Sequence, residues 1–371
     1  MLSSASMEPL LMHNPHSLRY FGLDLMRTFA IILVVLSHGA FLLEGSFLDG
    51  FPYIKIMDGV DLFFVLSGFL IGGILLKEIN RQETFGIQAL LKFLVRRWFR
   101  TLPNYYLILL LNVVLVYFGI VKEDISMFNW KFLLFAHNLF DGFYGFFWES
   151  WSLSVEEWFY LIFPVLSLFV LKFVRPMQTY FLLSLAMILI PLYLRHIAYD
   201  PGLDDFWFDV NRRKVVVFRL DSIAYGLLAA WINYYFLRIW KKISISSFIL
   251  GILLILLINT IDYPSTGYFS QVFLFSITPL AAMLFLPLLS VWKSSKSHVA
   301  KGIVHISRIS YSMYLINLGI VAAILRDNIK IDGGWLGILM YLLFWISVVF
   351  LSGLLYRYFE KPVMDLRDRF G

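Results

Sequence analysis

The feature that most constrains this chain is a succession of apolar windows, each about 20 residues long, the length at which a helix crosses a bilayer. They fall near 20–43, 59–77, 102–120, 152–173, 178–198, 215–237, 245–261, 269–291, 308–326 and 335–357. Over 371 residues the chain is 60% hydrophobic and only 15% charged, where soluble domains carry nearer a quarter charged. The expected fold class is therefore all-α: a polytopic integral membrane bundle of about ten transmembrane helices. Residues 1–18 read as an N-terminal tail, 19–358 as one transmembrane domain and 359–371 as a C-terminal tail. The first window is long and has no small-residue cleavage site after it, so it reads as a retained span, not a signal peptide.

Charge placement orients these spans. Lys77, Arg81, Lys92, Arg96, Arg97 and Arg100 crowd the connection 77–101, and further Lys and Arg residues recur in every second connection and near the C-terminus. The alternate connections hold the acidic cluster Asp200, Asp204, Asp205 and Asp209. By the positive-inside rule both termini are expected in the cytoplasm of a bacterial inner membrane. The string "NRRK" at 211–214 falls on the outer side by this count and is the exception. Since topology absorbs the net charge of +6, no nucleic-acid partner is expected. The absence of cysteine excludes thiol catalysis and disulfides. The histidines are scattered without metal-ligand spacing, so no metal is expected, and no P-loop suggests ATP-driven transport.

Against that background "LDLMRTFAIILVVLSHGAF" at 23–41 stands out, because charges inside a span are costly and mark function by default. Arg27 and His38 are eleven residues apart, about three turns, which places them on one helix face roughly 16 Å apart. Asp24 lies one turn before Arg27, near the same stripe. A histidine there suits a general base, and an arginine suits an anionic part of a long ligand. The bland alternatives are a snorkelling Arg27 and a packing role for His38. In "WSLSVEE" at 151–157, Ser154 and Glu157 have capping-box spacing and Glu156 adds negative charge to a helix start. Trp151 and Ser152 are left unexplained by that reading. Glu156 or Glu157 could orient His38 or order an acceptor hydroxyl, with Glu156 preferred. Asp61, Arg219 and Asp221 lie in spans and read either as structural pairs or as part of an acceptor cavity. His137 and Asn138 are left unassigned.

The ordered set of strings resembles the membrane-bound acyltransferase family 3, the bacterial glycan O-acetyltransferase type. The Arg, ten residues, His pattern of span 1 is similar to that family's, as are "GVDLFFVLSGFLIG" at 59–72, "RRWFRTLPNYY" at 96–106 and "WSLSVEEWFYLIFP" at 151–164. "FRLDSIAYGLL", "ISRISYSMYLINL" and "YRYFEKPVMDLR" follow in the family's order. One departure is Asn317, where many relatives carry a histidine after "YL". The resemblance implies transfer of an acyl group, usually acetyl from cytoplasmic acetyl-CoA, to a hydroxyl of a carbohydrate or glycolipid such as lipopolysaccharide or another cell-envelope glycan. It places the acyl-CoA phosphates at Arg96, Arg97 and Arg100, its inner part at Arg27 and its thioester toward His38. Membrane lipid can also account for the basic segment. A soluble domain follows the membrane unit in some relatives; here the chain stops at Gly371, so a separate partner is expected for any such role. The rival expectations are an acyltransferase for a small cytoplasmic acceptor and a secondary transporter or flippase, although no inverted repeat is visible.

Overall fold

The computed structural model describes residues 20–50, 57–81, 85–261, 264, 266–330 and 333–370. The expected N-terminal tail, 1–18, lies outside them. Among the described residues every regular element is helical, as a bilayer demands of a chain whose backbone groups must find partners within the segment. The ten windows fall on helices α1 (Phe21–His38), α2 (Gly59–Arg81), α3 (Ile87–Tyr117), α4 (Ser150–Val170) and α5 (Pro176–Ile197), then α6 (Leu220–Tyr235), α7 (Ser244–Thr260), α8 (Phe275–Leu289), α9 (His298–Ile316) and α10 (Gly334–Leu355). Among the described residues, eight helical runs are long and apolar enough to cross a membrane. The helices α6 and α7 are shorter, with 16 and 17 residues. The chain is a multi-pass membrane protein.

Two segments depart from expectation. Most of the basic connection 77–101 is helix: α2 continues to Arg81 and α3 begins at Ile87. Its apolar residues recur at helical spacing, with Leu90, Phe93 and Leu94 buried and Arg96 exposed, the stripe that holds an amphipathic helix to its neighbours. The expected C-terminal tail is also helical over Lys361–Phe370.

Close backbone approach sets the bundle's geometry. A methyl group on Gly68 of α2 would stand 2.1 Å from the Ile223 carbonyl oxygen, and one on Gly226 of α6 would stand 2.1 Å from that of Val65. Only glycine fits this crossing, the small-residue contact by which membrane helices pack. It carries Asp61 to Arg219, the residue ahead of α6, and the two form a buried ion pair. Thr278 of α8 donates to the second Asp61 oxygen at 2.8 Å. Asp221 has a different partner: Arg195 of α5, at 2.7 Å and fully buried. Intramembrane charges persist when paired in this way.

The helix α1 is pinned on two sides. A methyl group on Gly59 of α2 would stand 2.4 Å from the Ala30 carbonyl oxygen, and the Thr28 hydroxyl donates to the Ile303 carbonyl of α9 at 2.8 Å. The exceptional string "NRRK" is neutralised locally. Arg213 pairs with Asp58 at 2.7 Å and Asp209 at 2.9 Å, and Lys214 pairs with Asp209 at 2.5 Å. Arg212 donates to Gln271 at 3.4 Å and to the Ala198 carbonyl. A cation held by a local carboxylate weighs little in a count of free positive charge, which is why this cluster can sit among acidic connections. The pairs also hold the Asp209 carboxyl below its ordinary value although burial pushes it up.

Candidate functional site

A cavity of about 380 Å³ runs between α1, α2, α3, α4 and α9. The helix α2 lines it from Val60 to Lys77, a span of roughly 25 Å at 1.5 Å per residue. At the end marked by Lys77 the walls carry Tyr20, Arg97 and Arg100. At the Val60 end they carry Ser152 and Tyr314. Arg27, Ser67, Glu156 and Tyr311 lie along the walls, interleaved with Phe63, Phe64, Leu70 and Ile71. The basic residues thus gather at one mouth of a largely apolar slot, and a pair of hydroxyls closes its far end.

Arg27 sits on α1 with its side chain about one-fifth exposed, 3.8 Å from Asp24 and 3.5 Å from the Ser307 hydroxyl. Asp24 is buried and accepts from Ser307 at 2.7 Å, so its part is to brace the arginine and not to line the space. Glu156 faces the cavity, accepting from Ser67 at 2.6 Å and from Tyr160 at 3.4 Å. Glu157 turns the other way, is buried, and accepts from Thr101 of α3 at 2.6 Å. That contrast separates the two carboxylates.

The expected capping box does not form. The helix α4 starts at Ser150, four residues ahead of Ser154, whose hydroxyl donates back to the Ser150 carbonyl at 3.3 Å. Tertiary contacts fix this start. The Ser150 hydroxyl meets His137 Nε2 at 3.0 Å and the Phe147 carbonyl at 2.6 Å. Asn138 donates to the Trp151 carbonyl at 3.1 Å and the Lys214 carbonyl at 2.7 Å. His137 stacks on Phe132 at 4.1 Å, and burial lowers its imidazole to about 3, so it packs as a neutral ring.

At the C-terminal end of α1, His38 Nδ1 lies 2.5 Å from Asn317 Oδ1. Its hydrogen-bonded partner is thus Asn317, not Glu156 or Glu157. The Asn317 amide donates to the Met313 carbonyl at 2.8 Å and the Tyr314 carbonyl at 2.7 Å. The Tyr314 hydroxyl meets Ser152 Oγ at 2.6 Å and the Glu149 carbonyl at 3.1 Å. A continuous route therefore leads from the cavity's far end through Ser152, Tyr314 and Asn317 to His38. Arg213, Lys214 and Asp58 lie within electrostatic reach of that ring.

Of the residues singled out in the sequence, Arg27, Arg97, Arg100, Ser152 and Glu156 meet at the cavity. Arg96 is exposed and stands outside the cavity lining, one helical turn before Arg100. Trp151 is buried beside it, edge-on to Phe64 at 5.9 Å, with Arg213 and Arg219 over its ring at 5.4 and 5.7 Å. Asp61 and Arg219 are sealed in their ion pair away from the cavity lining. Sequence reasoning gave Asn317 no partner and did not find Glu149, which is buried and accepts from the Gly319 amide at 3.1 Å. The one available signal was Asn317's departure from the histidine of many relatives.

The family profile described as "Acyltransferase domain" (Acyl_transf_3) matches residues 20–357, covering every element of the cavity. The chain belongs to the acyltransferase 3 family. Its similarity to this family's members extends to "O-acetyltransferase OatA" of Staphylococcus aureus strain NCTC 8325, 30% identical over 381 residues, covering 94% of this chain and 58% of that protein. OatA of strain MRSA252 matches with the same identity and coverage. The chain thus spans less than two thirds of these relatives' length. No solved structure matches it. Membership in an acyltransferase family gives the cavity its chemical context: a slot with a basic mouth at one end and, one hydrogen-bonded route away, a histidine.

Proposed function

We propose that this protein is an integral membrane O-acyltransferase that moves acetyl from acetyl-CoA to a hydroxyl of a cell-envelope carbohydrate. The observation that carries the reading is the cavity, whose basic mouth and hydroxyl-lined far end stand roughly 25 Å apart along α2. Both termini and the Arg97–Arg100 mouth then face the cytoplasm of the inner membrane, and His38 lies toward the opposite face. At about 380 Å³ the slot is at the small end of ligand pockets (~300–1,000 Å³) and suits the pantetheine arm better than the whole coenzyme. Lys77, Arg97 and Arg100 supply the charge-assisted contacts that phosphates select, and the apolar walls of α2 suit the arm.

His38 serves as general base. The acceptor's hydroxyl gives up its proton to the imidazole as its oxygen forms a bond to the thioester carbonyl carbon. The carbon–sulfur bond breaks, and the proton passes on to the departing thiolate. A covalent acyl relay would use the same base. The printed name of OatA, an O-acetyltransferase, supports the choice of acetyl and of an oxygen acceptor. Arg27, midway along the slot, would hold the arm in register.

The test uses proteoliposomes loaded with labelled acetyl-CoA and a panel of glycan and lipid-linked acceptors outside. Wild-type protein is expected to consume thioester and label an acceptor. His38→Ala should reduce transfer at least 100-fold, within the range that general base catalysis commonly supplies (~10²–10⁴). Arg27→Ala should raise the apparent KM for acetyl-CoA, with both variants folded. Transfer that persists in His38→Ala removes the base assignment. Solute flux without thioester loss in the wild type would instead establish a transporter.

A further inference from the structure

The His38–Asn317 contact contains more information than its distance. An amide side chain has one acceptor and two donor hydrogens, and which end faces a neighbour is settled by what else it touches. Here the nitrogen of Asn317 is committed on two sides, to the Met313 carbonyl at 2.8 Å and the Tyr314 carbonyl at 2.7 Å. Both partners are acceptors only. A flipped amide would set its oxygen against two carbonyl oxygens and its NH₂ against His38. The nitrogen therefore faces the helix, and Oδ1 faces the imidazole.

At Asn317 the α9 helix widens into a π turn, Asn317–Ala322, and π insertions shift the helical hydrogen-bond ladder by one residue, often at functional sites. The Asn317 side chain donates just ahead of that widening, sharing the Met313 carbonyl with its own backbone N–H. Being fully buried, it has no water to exchange for these partners, so its orientation is fixed by the fold.

From this we infer that Asn317 is a positioning residue that holds His38 as the Nδ1–H tautomer, leaving Nε2 as the basic nitrogen. Oδ1 cannot donate, so the short contact at 2.5 Å requires a proton on Nδ1 of the ring. An imidazole in its neutral form carries one proton, which leaves the Nε2 lone pair open for an acceptor hydroxyl. Asn317 thereby does for His38 what a carboxylate does for many catalytic histidines, fixing tautomer and ring angle. It does so without a negative charge, and the two carbonyls of its own helix lock it. The link also ties the base to the cavity, because Tyr314 contributes a carbonyl to Asn317 and a hydroxyl to Ser152.

The catalytic half of this inference rests on the proposed transfer reaction, whereas the tautomer does not. The first test is therefore spectroscopic. Protein labelled with ¹⁵N-histidine, with the His38 signals assigned by their loss in His38→Gln, should show a protonated, pyrrole-type Nδ1 and a bare, pyridine-type Nε2. A protonated Nε2 as the main species overturns the inference whether or not the protein transfers acetyl. In Asn317→Leu the lock is gone, and the two tautomers should mix. The second test is kinetic. Asn317→Leu should lower kcat on the order of tenfold or more, since a base presented as the wrong tautomer is costly, and leave the KM for acetyl-CoA unchanged. Asn317→His, whose ring retains one acceptor nitrogen, should restore most of kcat. An active wild type whose kcat is untouched by Asn317→Leu overturns the positioning role. A wild type that transfers nothing counts against the proposed function, and the tautomer then stands or falls on the nitrogen spectra alone.

Discussion

Two arginines sit in the same bundle in opposite surroundings. Arg219 is fully buried, paired with Asp61, and its guanidinium lies 4.5 Å over the Phe275 ring. Arg27 is about one-fifth exposed, 3.8 Å from Asp24, and lines a cavity. In sequence both are single cations in apolar windows with an aspartate nearby. What separates them is what the side chain meets: Arg219 is sealed against Asp61 beside the crossing of Gly68 and Gly226, while Arg27, on a helix equally closely packed at Ala30 and Thr28, turns toward a cavity. One arginine is spent on holding the bundle together, and the other is left beside a space a ligand can enter.

The largest effect expected from this contrast is on folding. Arg219→Ala leaves Asp61 buried without its cation, which costs about 3–5 kcal/mol, so the yield of monodisperse protein in detergent should collapse. The double variant Arg219→Met with Asp61→Leu should recover most of it, since apolar replacement of a whole buried pair is nearly neutral. If Arg27→Ala destabilises the protein as much as Arg219→Ala does, the contrast is broken. A middle-sized effect sharpens it at the mouth. Arg97→Gln with Arg100→Gln should raise the apparent KM for acetyl-CoA roughly tenfold, the worth of one charge-assisted contact (~1.5–3 kcal/mol). Arg96→Gln, outside the cavity lining, should leave KM near its wild-type value; an equal rise would mean that general surface charge and not the cavity governs affinity.

The last effect concerns stability against pH. Burial, aided by the charge of Glu123, pushes the Glu149 carboxyl up to about 8 from an ordinary value of 4.5. The folded state prefers the protonated acid. Its contribution is therefore complete below pH 4.5 and is lost progressively as pH rises toward 8. The melting temperature of the wild type should fall across that window, and Glu149→Gln should flatten the fall. Parallel curves for the two proteins would assign the slope to other groups.

The fold was legible because bilayers permit few answers: windows of the right length had to become helices, and all ten did. The stripe was legible too, since Asp24, Arg27 and His38 share one unbroken helix and its periodicity is fixed. Arg96, Arg97 and Arg100 look like one group in sequence, but only Arg97 and Arg100 reach the cavity, because in the helical state of 87–100 Arg96 lies one turn before Arg100 on α3, past the lining. The capping box failed for a related reason. Local spacing predicted a start at Ser154, and long-range contacts from His137, Asn138 and Tyr314 moved it four residues upstream. Arg195 with Asp221, and His38 with Asn317, are pairs distant in sequence, and nothing local in the sequence announces them. The cations of "NRRK" misled by number, being held by Asp58 and Asp209.

The hydroxyls of Ser152 and Tyr314, 2.6 Å apart, have a consequence for permeability. They stand at the cavity's far end, opposite the basic mouth. A seal made of packed hydrocarbon opens only when helices part; a seal made of two hydroxyl groups opens when their hydrogen bond is traded for another, at a net cost of about 1 kcal/mol. An incoming hydroxyl is itself such a trading partner. Such a contact selects by hydrogen-bonding chemistry and not by size: any hydroxyl, water included, can make the trade, and an apolar group cannot.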